Sequence, residues 1–237
     1  MPRRSTALLV NKRSHIPQER KLSQAKAMII MKIIVTGFAP FGGETVNPSY
    51  EAVKLLPDTI DGHQIIKLEM PVSYDVCPAL LEWMVEHYRP DAVVCLGQAG
   101  GRTAITPEYV AINLKHGSMS DNSGVRYTDQ PVVRDGPAAY FTKLPVRKMV
   151  AALQEAGLPG FVSYSAGTFV CNCLAYHLLH MIHTRRPTLV GGFIHVPYST
   201  EQVKNKCLTM FAMETEEIAR AVTICLHTLI ESMSEQS

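Results

Sequence analysis

No apolar run in this 237-residue chain approaches the length of about 18 residues that a membrane helix needs, so no segment is a candidate for a transmembrane helix. A disulfide framework is missing as well. The six cysteines, at 77, 95, 171, 173, 207 and 225, follow no paired spacing, which fits free thiols in a reducing cytoplasm. A nucleic-acid footprint is absent. The net charge of +2 hides seven basic residues and one acid, Glu19, within residues 1–30; the remainder holds 16 basic and 20 acidic residues and carries −4. The glycines at 42, 43, 97, 100 and 101 are followed by no Walker lysine and match no dinucleotide fingerprint, so a phosphate cradle is disfavoured. There is no internal repeat and no low-complexity segment.

The basic, acid-poor leader, residues 1–30, has as its longest apolar run Ala7-Leu8-Leu9-Val10, too short for a secretory signal. It reads as a disordered N-terminal extension, or as the product of a start upstream of Met28 or Met31, and no catalytic group is expected in it. Residues 31–237 then form one catalytic domain. Hydrophobic residues at 46% against 19% charged are enough for an ordinary core.

Strands and helices alternate along this domain. Short apolar runs at 32–36, 64–68, 92–96, 161–165 and 189–195 read as buried strands, with a further short strand at 109–113. Helical patterns cover 49–56, 74–87, 146–155, 172–183 and 214–232. Residues 115–137 are polar and turn-rich and read as a long loop. Such alternation predicts an α/β fold: a single-domain, three-layer α/β/α sandwich around a mostly parallel, twisted sheet. In such sheets sites lie beyond the carboxyl ends of the strands.

Three residues fall where that rule points. Cys171 follows a small-residue loop, Ser165-Ala166-Gly167, and opens a helix, where unpaired backbone N–H groups and the helix dipole favour a thiolate. A free cysteine is more often buried and inert; the residues that accompany this one further along set it apart, and fast alkylation near neutral pH is expected of it. His195 ends the strand Val190–Ile194, and Glu108 lies beyond the strand ending at Leu96. Cysteine, histidine and carboxylate are the parts of an acyl-transfer triad. The imidazole takes the thiol proton and returns it to the leaving group, and the carboxylate fixes the imidazole tautomer.

Several segments carry a family likeness. They are Gly37-Phe38-Ala39-Pro40-Phe41-Gly42-Gly43 with Asn47-Pro48-Ser49, and Gly97-Gln98-Ala99-Gly100-Gly101-Arg102. Further along come Ile105-Thr106-Pro107-Glu108, Asp135-Gly136-Pro137, Ala166-Gly167-Thr168-Phe169-Val170-Cys171-Asn172, and Gly192-Phe193-Ile194-His195-Val196-Pro197-Tyr198. In order and spacing, over residues 31–230, the chain resembles the pyroglutamyl peptidase I (pyrrolidone-carboxylate peptidase) family of cysteine peptidases. The resemblance implies Glu108, Cys171 and His195 as catalytic residues and removal of an N-terminal pyroglutamyl (5-oxoproline) residue from peptides. It also implies no cofactor or metal, a cytoplasmic location, and a homotetramer built as a dimer of dimers.

A lactam ring is flat, small and neutral, and asks for apolar faces with a donor and an acceptor. Phe38 and Phe41 resemble the family's loop aromatics, and Phe41 is the candidate to cover the ring. Phe169 and Val170 are candidate walls beside the nucleophile. Gln98 has an amide able to accept from the lactam N–H and to donate to its carbonyl, and Asn47 either assists or holds the loop. Without the family pattern, Phe38 and Phe41 read equally as core packing and Gln98 as a turn residue. Two rival functions are an amidase for another small cyclic amide and a non-catalytic binding protein of the same fold.

His177, His180 and His183 on one helix invite a metal, but i+6 is rotated well away from i and no carboxylate completes the set, so a polar helix face is the better reading. The chain also departs from the family pattern. Cys173 stands where a histidine is usual; it lies about 200° around the helix from Cys171 and is not expected to be the nucleophile. Tyr109 replaces an arginine, and residues 114–122 lack the usual Asp-Ala-Arg ahead of Asp121-Asn122.

Overall fold

The computed structural model describes residues 30–204 and 210–235. The basic extension expected over 1–30 lies, except for Ile30, outside the described residues. The central sheet is built on four parallel strands: β1 (Lys32–Phe38), β3 (His63–Met70), β4 (Ala92–Gln98) and β8 (Val190–Val196). A two-residue strand closes each edge in antiparallel sense, β2 (Thr59–Ile60) beside β3 and β5 (Thr106–Pro107) beside β8, giving the order β2-β3-β1-β4-β8-β5.

Strands buried on both faces read as continuous apolar runs, and β4 is buried at all seven positions. The alternation of side chains still sorts the residues by face. Ile33, Val35, Val94, Leu96, Ile194 and Val196 face helices α1 (Pro48–Leu55), α3 (Val146–Glu155) and α6 (Thr215–Ser234). Ile34, Val93, Cys95 and Phe193 face α2 (Val76–Tyr88) and α4 (Val170–Thr184). The result is the three-layer α/β/α sandwich with a mostly parallel sheet. Two small ladders sit outside it: β6 (Val110–Ile112) with β7 (Ala139–Phe141), and β9 (Tyr198–Ser199) with β10 (Ala212–Met213); α5 (Thr200–Val203) follows β9.

One expected strand does not form. Residues 161–165 run beside β5 but make only isolated bridges, Gly160 to Ile105 and Ser163 to Glu108. Phe161 N–H donates to Ile105 O and Ser163 N–H to Pro107 O, but Pro107 has no N–H to return the next ladder bond. Phe161 and Tyr164 project outward, 46% and 58% exposed, so only Val162 of the segment's large apolar residues packs on the core.

Candidate active site

The parallel register of β4 and β8 sets Gly97 opposite His195 and Gln98 opposite Val196 at the carboxyl end of the sheet. On the other side of β8, Thr106 pairs with His195, and the Glu108 N–H donates to Phe193 O at 2.9 Å. Glu108 is thereby delivered to the imidazole, with His195 Nδ1 2.7 Å from Glu108 Oε1. Both side chains are almost sealed from solvent, Glu108 at 2% and His195 at 3% exposure. Arg102, from the Gly97–Arg102 segment, reaches the same carboxylate. Its Nη1 lies 2.7 Å from Glu108 Oε1 and bonds Thr106 Oγ1, and its Nη2 donates to Ser165 O at 2.8 Å.

Cys171 is the second residue of α4. The chain enters the helix through Gly167, whose φ of +73° lies in the left-handed region that favours glycine, and through the extended Phe169. No side chain caps the helix, so its first backbone N–H groups are left without side-chain partners. Asn172 anchors this first turn. It accepts from Ile112 N–H at 3.0 Å and donates to Ile112 O and Leu114 O, each at 2.9 Å. Cys171 is partly exposed and faces a cleft that it shares with His195, Arg102, Gln98 and the loop 165–169.

Burial and the neighbouring charges set the balance of charge in the trio. Burial and the neighbouring Glu108 carboxylate push the Cys171 thiol up to about 12, outweighing the opposing pull of Arg102 and of its own backbone N–H. Burial thus opposes the thiolate that the helix terminus favours. Burial moves the His195 imidazole below its usual value, against the pull of Glu108 and with help from Arg102. Burial acts to raise the Glu108 carboxyl, but His195, Ser163 and Arg102 together hold it below the usual carboxylate value. At neutral pH the resting trio is thiol, neutral imidazole and carboxylate. Among the described residues, its one internal hydrogen bond is that between His195 and Glu108. With Nδ1 donating to Glu108, Nε2 is left as the acceptor, which equips the imidazole to take a proton.

Beside the thiol lies a recess lined by Phe38, Phe41, Asn47, Val72, Gln98, Phe169, Val170 and Cys171. All six expected ring-binding residues line it, and Val72 is an addition no local pattern announced. Phe38 and Val170 are buried core residues with one side on the recess, whereas Phe41 and Phe169 form its more open wall, ring centroids 6.2 Å apart. Asn47 caps α1: its Oδ1 accepts from Ser49 N–H and Oγ–H, and its Nδ2 donates to Ala39 O at 3.0 Å. Of the two roles offered for Asn47, the geometry matches holding the loop. Gln98 is held by Gln202, whose Nε2 donates to Gln98 Oε1 at 2.9 Å.

The helical histidines take separate partners. His177 bonds Glu82, His180 bonds Tyr140, and His183 bonds Leu179 O. Among the described residues no group of His, Cys, Asp or Glu side chains converges to hold a metal. Cys173 is 2% exposed in the core under Tyr74, its thiol 3.7 Å from Tyr74 O. Tyr109 packs on Phe141 and Tyr164, away from the reacting groups. The unusual segment 114–120 ties into the nucleophile loop: His116 N–H donates to Thr168 O, and Thr168 Oγ1 donates to His116 O.

Comparison with known proteins places this arrangement. The chain is 46% identical over 205 residues to a pyrrolidone-carboxylate peptidase of Enterococcus faecalis, covering 86% of this chain and 96% of that one. A namesake from Streptococcus pyogenes is 46% identical over 201 residues, covering 85% and 93%. Among solved structures, pyroglutamyl peptidase I of Bacillus amyloliquefaciens superposes with a TM-score of 0.82 at 42% identity, covering 85% of this chain and 95% of that one. A variant of the pyrrolidone carboxyl peptidase of Pyrococcus furiosus gives 0.82 at 36% identity, covering 86% and 100%. The profile of the pyroglutamyl peptidase family matches residues 31–232. With sequence, fold and profile in agreement over the same span, the chain belongs to the pyroglutamyl peptidase family.

Proposed function

We propose that this protein is a cysteine exopeptidase that removes an N-terminal pyroglutamyl residue from peptides through a thioester. The observation that carries the reading is the 2.7 Å bond from His195 Nδ1 to Glu108 Oε1 beside the cleft that Cys171 faces. The pyroglutamyl ring enters the recess between Phe41 and Phe169, which brings its exocyclic carbonyl to the thiol. His195 Nε2 takes the Cys171 proton as sulfur attacks that carbon, and the carbonyl electron pair moves to oxygen. N–H groups of the first turn of α4 stabilise the resulting oxyanion. Collapse breaks the C–N bond; His195 passes the proton to the departing amine, and the thioester remains on Cys171. Water, deprotonated by His195, then attacks the thioester. Free pyroglutamate leaves, and the sulfur regains its proton.

The thiol and imidazole meet fully only with substrate in place, as catalytic hydrogen bonds often do. Among the described residues no helix is long and apolar enough to cross a membrane. The reading places the enzyme in the cytoplasm, where a catalytic thiol stays reduced, and assembles it as the homotetramer implied by its family. Hydrolysis of a pyroglutamyl-coumarin reporter tests the activity, with prolyl and glutaminyl reporters as controls. Release from the pyroglutamyl reporter alone is expected; release from none of them, or equal release from all three, would overturn the reading.

A further inference from the structure

Gln98 and Gln202 are two neutral amides buried side by side, 8% and 6% exposed. The oxygen and nitrogen of such an amide are told apart only by their partners. Here the partners leave one assignment. Ser199 closes a capping box with Gln202, and its backbone N–H, which can only donate, lies 3.2 Å from Gln202 Oε1. The carbonyl of Val46, which can only accept, lies 3.2 Å from Gln202 Nε2. Gln202 is therefore oriented from both ends by the backbone. The same Nε2 donates to Gln98 at 2.9 Å, so the atom of Gln98 turned toward it must be the oxygen. Gln98 Nε2 then points the other way, and among the described residues it makes no hydrogen bond. Gln98 lines the recess that also holds Phe41, Phe169 and Cys171.

The geometry points to Gln202 as a positioning residue that fixes which end of the Gln98 amide faces the recess. Gln98 thereby offers a donor to the lactam carbonyl of the ring. This rests on the reading that the recess takes the pyroglutamyl ring. It also narrows the two-way role expected of Gln98, because its oxygen is turned toward Gln202. The chain of orientation runs from Ser199 N–H and Val46 O through Gln202 to Gln98, and from Gln98 to the substrate. A ring without the carbonyl leaves this donor without its partner in the recess, which is a basis for rejection.

The test measures kcat and KM of the pyroglutamyl reporter, and the inhibition constant of 2-pyrrolidone, for wild type, Gln202→Met, Gln202→Glu, Gln98→Met and the double Met variant. Gln202→Met keeps the side-chain length but removes the hydrogen bonds. It should raise KM and the pyrrolidone constant together by about tenfold, the worth of one hydrogen bond, with a much smaller change in kcat. Gln202→Glu, once ionised, turns Gln98 around and should raise KM further. If Gln202 acts through Gln98, the double variant is no worse than Gln98→Met alone. An unchanged KM in Gln202→Met, or full additivity in the double variant, overturns the inference. Should the variants fail to fold, wild-type enzyme decides. Cyclopentanone keeps the carbonyl and lacks the N–H, so it should still compete with the reporter; failure to compete where 2-pyrrolidone does overturns the inference. Wild-type turnover of the reporter separates the two levels, because its absence defeats the proposed function, whereas active wild type with indifferent Gln202 variants defeats only this assignment.

Discussion

Arg102 Nη1 lies 2.7 Å from the same Glu108 oxygen that His195 Nδ1 contacts at 2.7 Å. The guanidinium therefore holds the carboxylate ionised from one side while the imidazole leans on it from the other. It also lowers the His195 pKa and the Cys171 pKa by its charge. Replacing it with methionine removes a positive charge near the imidazole. The sign follows: His195 becomes easier to protonate, so the acid limb of kcat/KM should move to higher pH. Loss of the bonds to Ser165 and Thr106 should also lower kcat/KM by about 10- to 100-fold, the scale of misplacing a catalytic group. An acid limb that stays put in Arg102→Met would show that the guanidinium does not act on the imidazole.

Two cysteines share one helix turn, and only one faces the cleft. Cys171→Ala should abolish reporter hydrolysis and leave the fold intact. Cys173→Ala trims a buried thiol under Tyr74 and should cost about 1 kcal/mol of stability while keeping turnover close to wild type. Melting temperature and kcat measured side by side check both. Activity in the first variant, or none in a folded second, would relocate the nucleophile.

The resting charge states set the pH behaviour. Neutral His195 is the working base, and its pKa is lowered from 6.5, so kcat/KM should hold down to pH values below the ordinary imidazole range and fall only as the ring protonates. The free thiol, pushed up to about 12, should alkylate slowly with iodoacetamide at pH 7 and steadily faster as pH rises. Fast labelling at neutral pH, with a plateau, would instead reveal a preformed thiolate.

Much of this site was legible in the sequence because the sheet rule acts locally. A strand that ends in histidine, and a small-residue loop that opens a helix at cysteine, each announce a position above the carboxyl edge. Glu108 was legible by the same logic. What escaped depends on distant pairing. Gln202 lies 104 residues from Gln98, and nothing in the short segment Ser199–Val203 signals the contact. Arg102 sat in a glycine-rich motif whose sequence shows a turn but not the carboxylate beneath it. The 161–165 segment looked like a strand by composition; Pro107, on the neighbouring segment, breaks its ladder. The helix terminus beside Cys171 is visible in sequence, whereas the burial that opposes its pull on the thiol is not.

Gly97 stands opposite His195 in the β4–β8 ladder and lies close beneath the Cys171 thiol. A β-carbon at this position would lie 2.7 Å from Phe193 Cζ and 3.0 Å from Cys171 Sγ. The first distance is shorter than real contacts allow, so the Phe193 ring must move. That ring packs on the imidazole, centroids 4.8 Å apart, and on Phe38 at 6.3 Å, so its displacement is transmitted to His195 and to the wall of the recess. The thiol is crowded at the same time. Because strand β4 is held by neighbours on both sides, the fold should absorb the substitution at a cost of about 1–3 kcal/mol. Catalysis tolerates such shifts poorly, and kcat/KM of Gly97→Ala should fall by roughly 100-fold. Reporter kinetics together with thermal unfolding give the comparison. A stable Gly97→Ala enzyme with wild-type turnover would mean that the nucleophile and base do not depend on the close packing at this glycine.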